Sequence, residues 1–208
     1  MARVSQEHLD ARRRQILDGA ARCFARNGFH ATSMQDVLRE VDLSAGAVYR
    51  YFSGKEELIG AVVGEVLDII RGAFETALRQ SPPPPPDVLM EEILTKVLRP
   101  DTGITYEGES GFPRLMIQAW TETLRNDELS ALLRDGYTKV REAWVRIVRA
   151  YQDAGLMRAD VPADSVARTM IAMAQGFAAQ QALFGEVTVQ SMTEGLRGLM
   201  SMGQPRAS

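Results

Sequence analysis

The residues in this chain best suited to chemistry are small and polar ones followed by aromatic and basic ones. From Ser44 the sequence runs Ser44-Ala45-Gly46-Ala47-Val48-Tyr49-Arg50-Tyr51-Phe52, with Lys55 just beyond. Ala45, Gly46 and Ala47 let a backbone approach a ligand closely. Arg50 can pair bidentately with a guanine edge, and the hydroxyls of Tyr49 and Tyr51 suit phosphates. Upstream, Thr32, Ser33 and Gln35 stand at a second helix start, and free N–H groups there and at Ser44 are natural phosphate partners. This is the chemistry of a nucleic-acid contact, with Lys55 adding a positive charge.

Catalytic chemistry is poorly supplied. His8 and His30 are the only histidines, and neither has a serine or cysteine partner that its position justifies. Glu91-Glu92 and Asp127-Glu128 are adjacent on helices, so each pair points two ways and reads as a solvated face. The single cysteine, Cys23, excludes an internal disulfide and a thiolate cluster. No phosphate-binding glycine loop or metal-ligand spacing occurs, so neither cofactor nor metal is expected, and the chain does not read as an enzyme.

The elements that must position these residues are helical. The N-terminal segment lacks the pattern of a signal peptide, and no apolar run is long enough to span a bilayer. The expectation is a soluble, cytoplasmic protein without membrane contact. Net charge is −3, but it is unevenly spread: residues 1–55 hold nine Lys/Arg against six Asp/Glu, and the remainder fifteen against twenty-one. A local basic face is all that phosphate binding requires, and the asymmetry points to the N-terminal quarter.

Apolar positions Ile16, Leu17, Ala20, Ala21 and Phe24 recur at helical spacing over 11–27, with Gly28 as the stop. Thr32 and Gln35 have the spacing of a capping box opening a helix to about Glu40. Val41-Asp42-Leu43 make a turn, and Ser44 caps a short helix from Ala45 to Tyr51. Ser53 and Glu56 have capping-box spacing for a long helix towards Gln80. Pro82 to Pro86 break helix formation and read as a surface spacer. Helices follow at 87–99, 112–125, 127–154, 162–183 and 188–202, with a polar loop over 101–111. No alternating strand pattern is present. The fold class is all-α, with about nine helices. An N-terminal three-helix helix-turn-helix domain (1–52) is joined by a long helix to a C-terminal helical bundle (53–208).

The run Leu43-Ser44-Ala45-Gly46-Ala47-Val48-Tyr49-Arg50-Tyr51-Phe52, closed by Lys55-Glu56-Glu57-Leu58 and preceded by Phe24, Gly28 and Thr32, resembles the TetR family of bacterial helix-turn-helix transcriptional regulators. The resemblance is strong over about the first sixty residues. Farther on it is an echo in Gln118-Ala119-Trp120 and Gln152-x-x-Gly155-Leu156. Two positions depart from the pattern: Asp42 stands where the family usually has glycine, and Ala45 where relatives often have lysine. Asp tolerates a left-handed backbone, so the turn survives. The missing lysine puts more of the base readout on Tyr49 and Arg50.

The resemblance implies a C-terminal domain that binds a small-molecule effector and dimerises. Ile70, Phe74, Tyr106, Met116, Trp120, Trp144, Met173 and Phe177 are bulky enough to line an apolar pocket, or else fill a core. Gln118, Thr121, Gln175 and Tyr106 could provide polar contacts, or each lies at the surface. Ala167, Ile171, Ala174, Ala178 and Ala182 form a small-residue stripe. With Met192, Leu196 and Leu199 it suits either a four-helix dimer interface, the family's arrangement, or packing within one chain. One short recognition helix reads few bases, which itself favours a homodimer on a palindromic double-stranded DNA operator. The function expected is a repressor released from its operator by a largely apolar effector. The alternative is a constitutive or architectural DNA-binding protein without one.

Overall fold

The computed structural model describes residues 6–98, the backbone at 105–106 and 109–110, residues 111–185 and residues 187–201. Among these, the helices are α1 (Gln6–Ala31), α2 (Met34–Val41), α3 (Ala45–Tyr49), α4 (Lys55–Ala77), α5 (Pro86–Val97), α6 (Phe112–Glu122), α7 (Asp127–Asp153), α8 (Ala163–Phe184) and α9 (Val189–Met200). Between α5 and α6, β1 (Thr105–Tyr106) pairs antiparallel with β2 (Glu109–Ser110), Thr105 opposite Ser110. The architecture is all-α, as the periodicity indicates. The two-residue strands fall where the sequence reads as loop, because four residues are too few for alternation to register.

The chain packs as two compact units. Residues 1–67 and 98–136 form one, and residues 68–97 and 137–208 the other. In the first, Ile16, Leu17, Ala20 and Phe24 of α1 pack with Val37, Val41, Val48 and Phe52, and with Leu58, Ile59 and Val62 of α4. Leu115, Ala119 and Leu129 complete the same core. Phe24 and Phe29 meet edge to face at 4.9 Å. Two glycines allow helices to close in. An alanine Cβ at Gly19 would stand 2.2 Å from Val41 Cγ1, and one at Gly136 2.5 Å from Leu67 Cδ1.

In the second unit, Phe74 and Trp144 meet edge to face at 5.1 Å, both buried. Leu89, Met90 and Ile93 of α5, Ile147 and Val148 of α7, and Met170 and Phe177 of α8 are buried in the same unit. Asp87 is buried and accepts from Arg197 Nε at 2.9 Å, tying α5 to α9. The Tyr151 hydroxyl donates to the Pro84 carbonyl, and burial together with the Asp87 charge pushes its pKa up. The proline run is therefore held by the bundle, with Pro83 buried. It also yields to helix earlier than expected: Pro86 is the first residue of α5, a position where a missing N–H costs nothing.

Candidate nucleic-acid interface

Helices α2 and α3 are set by their caps. Ser33 caps α2: its Oγ accepts from Asp36 N at 3.3 Å, while Asp36 Oδ2 accepts from Ser33 N at 2.8 Å and Ser33 Oγ at 2.6 Å. These bonds from Ser33, helped by Arg39, lower the Asp36 carboxyl from 3.8 to about 2. The capping box is thus Ser33–Asp36 and not Thr32–Gln35, one residue later than the sequence suggests. Thr32 is buried, its hydroxyl donating to the Gly28 carbonyl at 2.7 Å and the Cys23 carbonyl at 3.2 Å. Its side chain braces the turn and does not reach the surface, which corrects its expected DNA contact. A similar offset holds at α4, where Ser53 N and Oγ bond Glu57 at 2.6 and 2.8 Å instead of Glu56.

The turn between α2 and α3 forms as expected. Asp42 takes the left-handed conformation, φ 52° and ψ 50°, and Ser44 Oγ accepts from Ala47 N at 3.3 Å. Val48 and Phe52 are buried and anchor α3, and Arg13 lies over the Phe52 ring at 5.2 Å. What α3 leaves outside are small and polar residues. Ser44, Ala45, Gly46, Tyr49 and Arg50 are exposed, Tyr49 by 48%, and nothing stands within 4 Å of where a Cβ on Gly46 would be. Ser33 and Gln35 of α2 are exposed as well, and Ala47 is half-buried.

Two other expected contacts are differently engaged. Tyr51 is half-buried, its ring against the core. Lys55 donates from Nζ to the Phe29 carbonyl at 3.1 Å, so its charge sits at the last turn of α1, where the helix dipole favours it.

A clamp missed by the sequence reading fixes α1 against α2. Glu40 accepts from Arg22 Nε at 2.8 Å and Arg26 Nη2 at 3.0 Å, and these bonds, Arg22 first, lower its pKa. Gln15 Nε2 also donates to the Val41 carbonyl at 3.0 Å. The signal was faint: Arg22 and Arg26 are one turn apart on α1, but nothing in the sequence pairs them with Glu40. Among the described residues no His, Cys, Asp and Glu group could hold a metal ion.

The expected effector residues divide between the units. Ile70, Phe74, Trp144, Met173 and Phe177 lie in the second, whereas Met116 and Trp120, both half-buried, lie in the first. The side chain of Tyr106 is outside the described residues. Of the expected dimer residues, Ala167, Ile171, Ala178 and Leu196 are buried within the single chain, as the alternative of intrachain packing requires of them. Ala174, Ala182 and Met192 are half-buried and Leu199 is 60% exposed. A groove of about 550 Å³ between α8 and α9 is lined by Met192 together with Thr169, Ala172, Met173 and Gly176, among others.

A family model described as bacterial regulatory proteins, tetR family, matches residues 16–62, the segment holding α2 and α3. A second, described as BetI-type transcriptional repressor, C-terminal, matches residues 105–199. The uncharacterized HTH-type transcriptional regulator YfiR of Bacillus subtilis is 30% identical over 187 residues, covering 88% of this chain and 86% of that one. The chain belongs to the TetR family. This TetR-family chain is also 29% identical to the HTH-type transcriptional repressor AcnR of Corynebacterium diphtheriae, over 88% of its own length and 87% of that protein's. Among solved structures, Salmonella enterica GusR matches with a TM-score of 0.67 at 26% identity, covering 96% of this chain and 97% of that one. A putative transcriptional regulator from Saccharomonospora viridis, in complex with choline, matches in fold with a TM-score of 0.73 at 21% identity, covering 94% and 97%. The TetR-family relatives are named as transcriptional regulators, and the chain is one, not an enzyme. No helix among the described residues is long and apolar enough to cross a membrane.

Proposed function

We propose that the protein is a cytoplasmic repressor that binds a palindromic operator as a homodimer and leaves it when a small, largely apolar effector binds. The observation that carries this reading is the exposed face of α3, where Ser44, Gly46, Tyr49 and Arg50 stand clear of a core that holds Val48 and Phe52. Arg50 reads a base edge, Tyr49 and the N-termini of α2 and α3 hold phosphates, and Gly46 admits the backbone. Residues 1–52 carry this contact, and residues 53–208 carry effector binding and dimerisation.

The groove between α8 and α9, and the more than half exposed Leu183 of α8 and Leu199 of α9, support pairing with a second copy along those helices. Phe74, Trp144 and Phe177 are packed in the interior of the second unit, so an aromatic site for an effector there opens only in the conformation that the effector selects. The choline bound by one neighbour fits such surroundings, since a quaternary ammonium group is held by aromatic faces. Release requires only that the effector bind the non-reading conformation more tightly.

Fluorescence anisotropy with a labelled duplex from the DNA flanking the protein's own gene tests the reading. Arg50→Ala should weaken binding by about 1–3 kcal/mol and relax discrimination at one position of each half-site. Equal affinity for this duplex and a scrambled one at physiological salt would overturn it.

A further inference from the structure

α1 is kinked at Gly28, just before the chain enters α2 and α3. Its φ of 81° and ψ of 163° belong to a region open essentially to glycine, and such a conformation persists only where its surroundings enforce it. Thr32 holds the Gly28 carbonyl and Lys55 holds that of Phe29. The remaining side is covered by α6. Leu115 and Ala119 of that helix are buried in the core that contains Phe24 and Phe29, and Gln118, between them, lies over Gly28. A methyl built on Gly28 would meet Gln118 Oε1 at 3.0 Å, Cδ at 3.2 Å and Nε2 at 3.3 Å, and no other residue comes nearer.

We propose that Gln118 is a positioning residue for DNA recognition: its side chain, packed over Gly28, holds the kink in the conformation that presents α2 and α3. The proposal rests on the operator-binding reading above. Covering this face suits an unbranched side chain, which reaches the backbone that a glycine leaves bare. Gln118 also falls within residues 105–199, the span of the C-terminal family model, while its helix packs in the N-terminal unit. A residue of the C-terminal segment thereby bears on the geometry of the reading helices.

Full-length Gln118→Ala and Gln118→Met test this by hydrogen exchange, thermal melting and anisotropy with the duplex from the protein's own upstream DNA. In Gln118→Ala, amide exchange over residues 29–33 should rise about tenfold while that of α4 does not. Duplex affinity should fall about three- to tenfold, with the melting temperature within about 2 °C of the parent. Gln118→Met, of similar length and also unbranched, should restore both. Unchanged exchange over 29–33 in Gln118→Ala would overturn the proposal. So would exchange that rises throughout the N-terminal unit together with a lowered melting temperature that methionine does not rescue, because that is a packing role. Should the parent protein fail to prefer its upstream duplex, the operator reading falls, and the exchange arm alone still decides whether Gln118 holds the kink.

Discussion

Replacing Gly19 with alanine puts a methyl group where α1 and α2 already touch. The added Cβ would stand 2.2 Å from Val41 Cγ1, well inside van der Waals contact. Val41 cannot step aside by rotation: it is buried, it is β-branched and therefore stiff at χ1 in a helix, and Asp42 after it is fixed in the left-handed turn. The clash must move the end of α2, to which Gln15 is bonded through the Val41 carbonyl. Overpacking of this kind costs about 1–3 kcal/mol. Against it stands the gain from replacing glycine inside a helix, about 0.8–1 kcal/mol. The net loss is about 1 kcal/mol, or about 2–4 °C in melting temperature for a chain of this size. Thermal denaturation followed by circular dichroism measures it. Adding Val41→Ala should recover at least about 0.5 kcal/mol of coupling in a double-mutant cycle. A Gly19→Ala protein that melts at or above the parent temperature would show that the helices do not approach as described.

Asp42→Val forces a β-branched residue to φ 52° and should cost about 1–2 kcal/mol in chemical denaturation, with Asp42→Gly close to neutral. Asp36, whose carboxyl titrates near 2 in the folded chain against 3.8 ordinarily, stabilises α2 fully above pH about 4. That contribution fades as the pH falls towards 2, and in Ser33→Ala the Asp36 titration followed by NMR should move back up. Phe74→Ala and Trp144→Ala should each cost about 3–5 kcal/mol. Their double-mutant cycle in urea should return about 0.5–1.5 kcal/mol for the edge-to-face contact.

The parts of the fold written in local chemistry were legible in the sequence. Ser44 as a cap, Asp42 in a left-handed turn, Gly28 as a break in α1, and Val48 and Phe52 as anchors each follow from one residue's stereochemistry or one helical period. Errors arose where two neighbouring residues offer the same chemistry. Thr32 and Ser33 are both good caps, and Ser33 takes the role because Thr32 is pulled inward to bond the carbonyls of Gly28 and Cys23. Ser53 likewise reaches Glu57 when Glu56 is equally suitable by type. Long-range pairings left no local trace. Nothing marks Glu40 as the shared acceptor of Arg22 and Arg26, or Gln118 as the cover of Gly28, until the helices are side by side. The alanines of α8 show the limit of a periodic stripe, which marks a face but does not say whether that face looks inward.

The N-terminal unit is assembled from two separate stretches of chain, and this bears on how regulators of this type can be recombined. Leu115, Ala119 and Leu129 sit among Phe24, Phe29 and Val48 as members of one core. A hybrid gene joined at Phe52 would set one protein's α1 against another's α6 and leave a mismatched interior. Exchanging only the exposed residues of α2 and α3, from Ser33 and Gln35 to Tyr49 and Arg50, leaves every buried contact with its original neighbours. On the proposed reading, new operator preferences are better obtained by rewriting that face than by transplanting the segment that bears it.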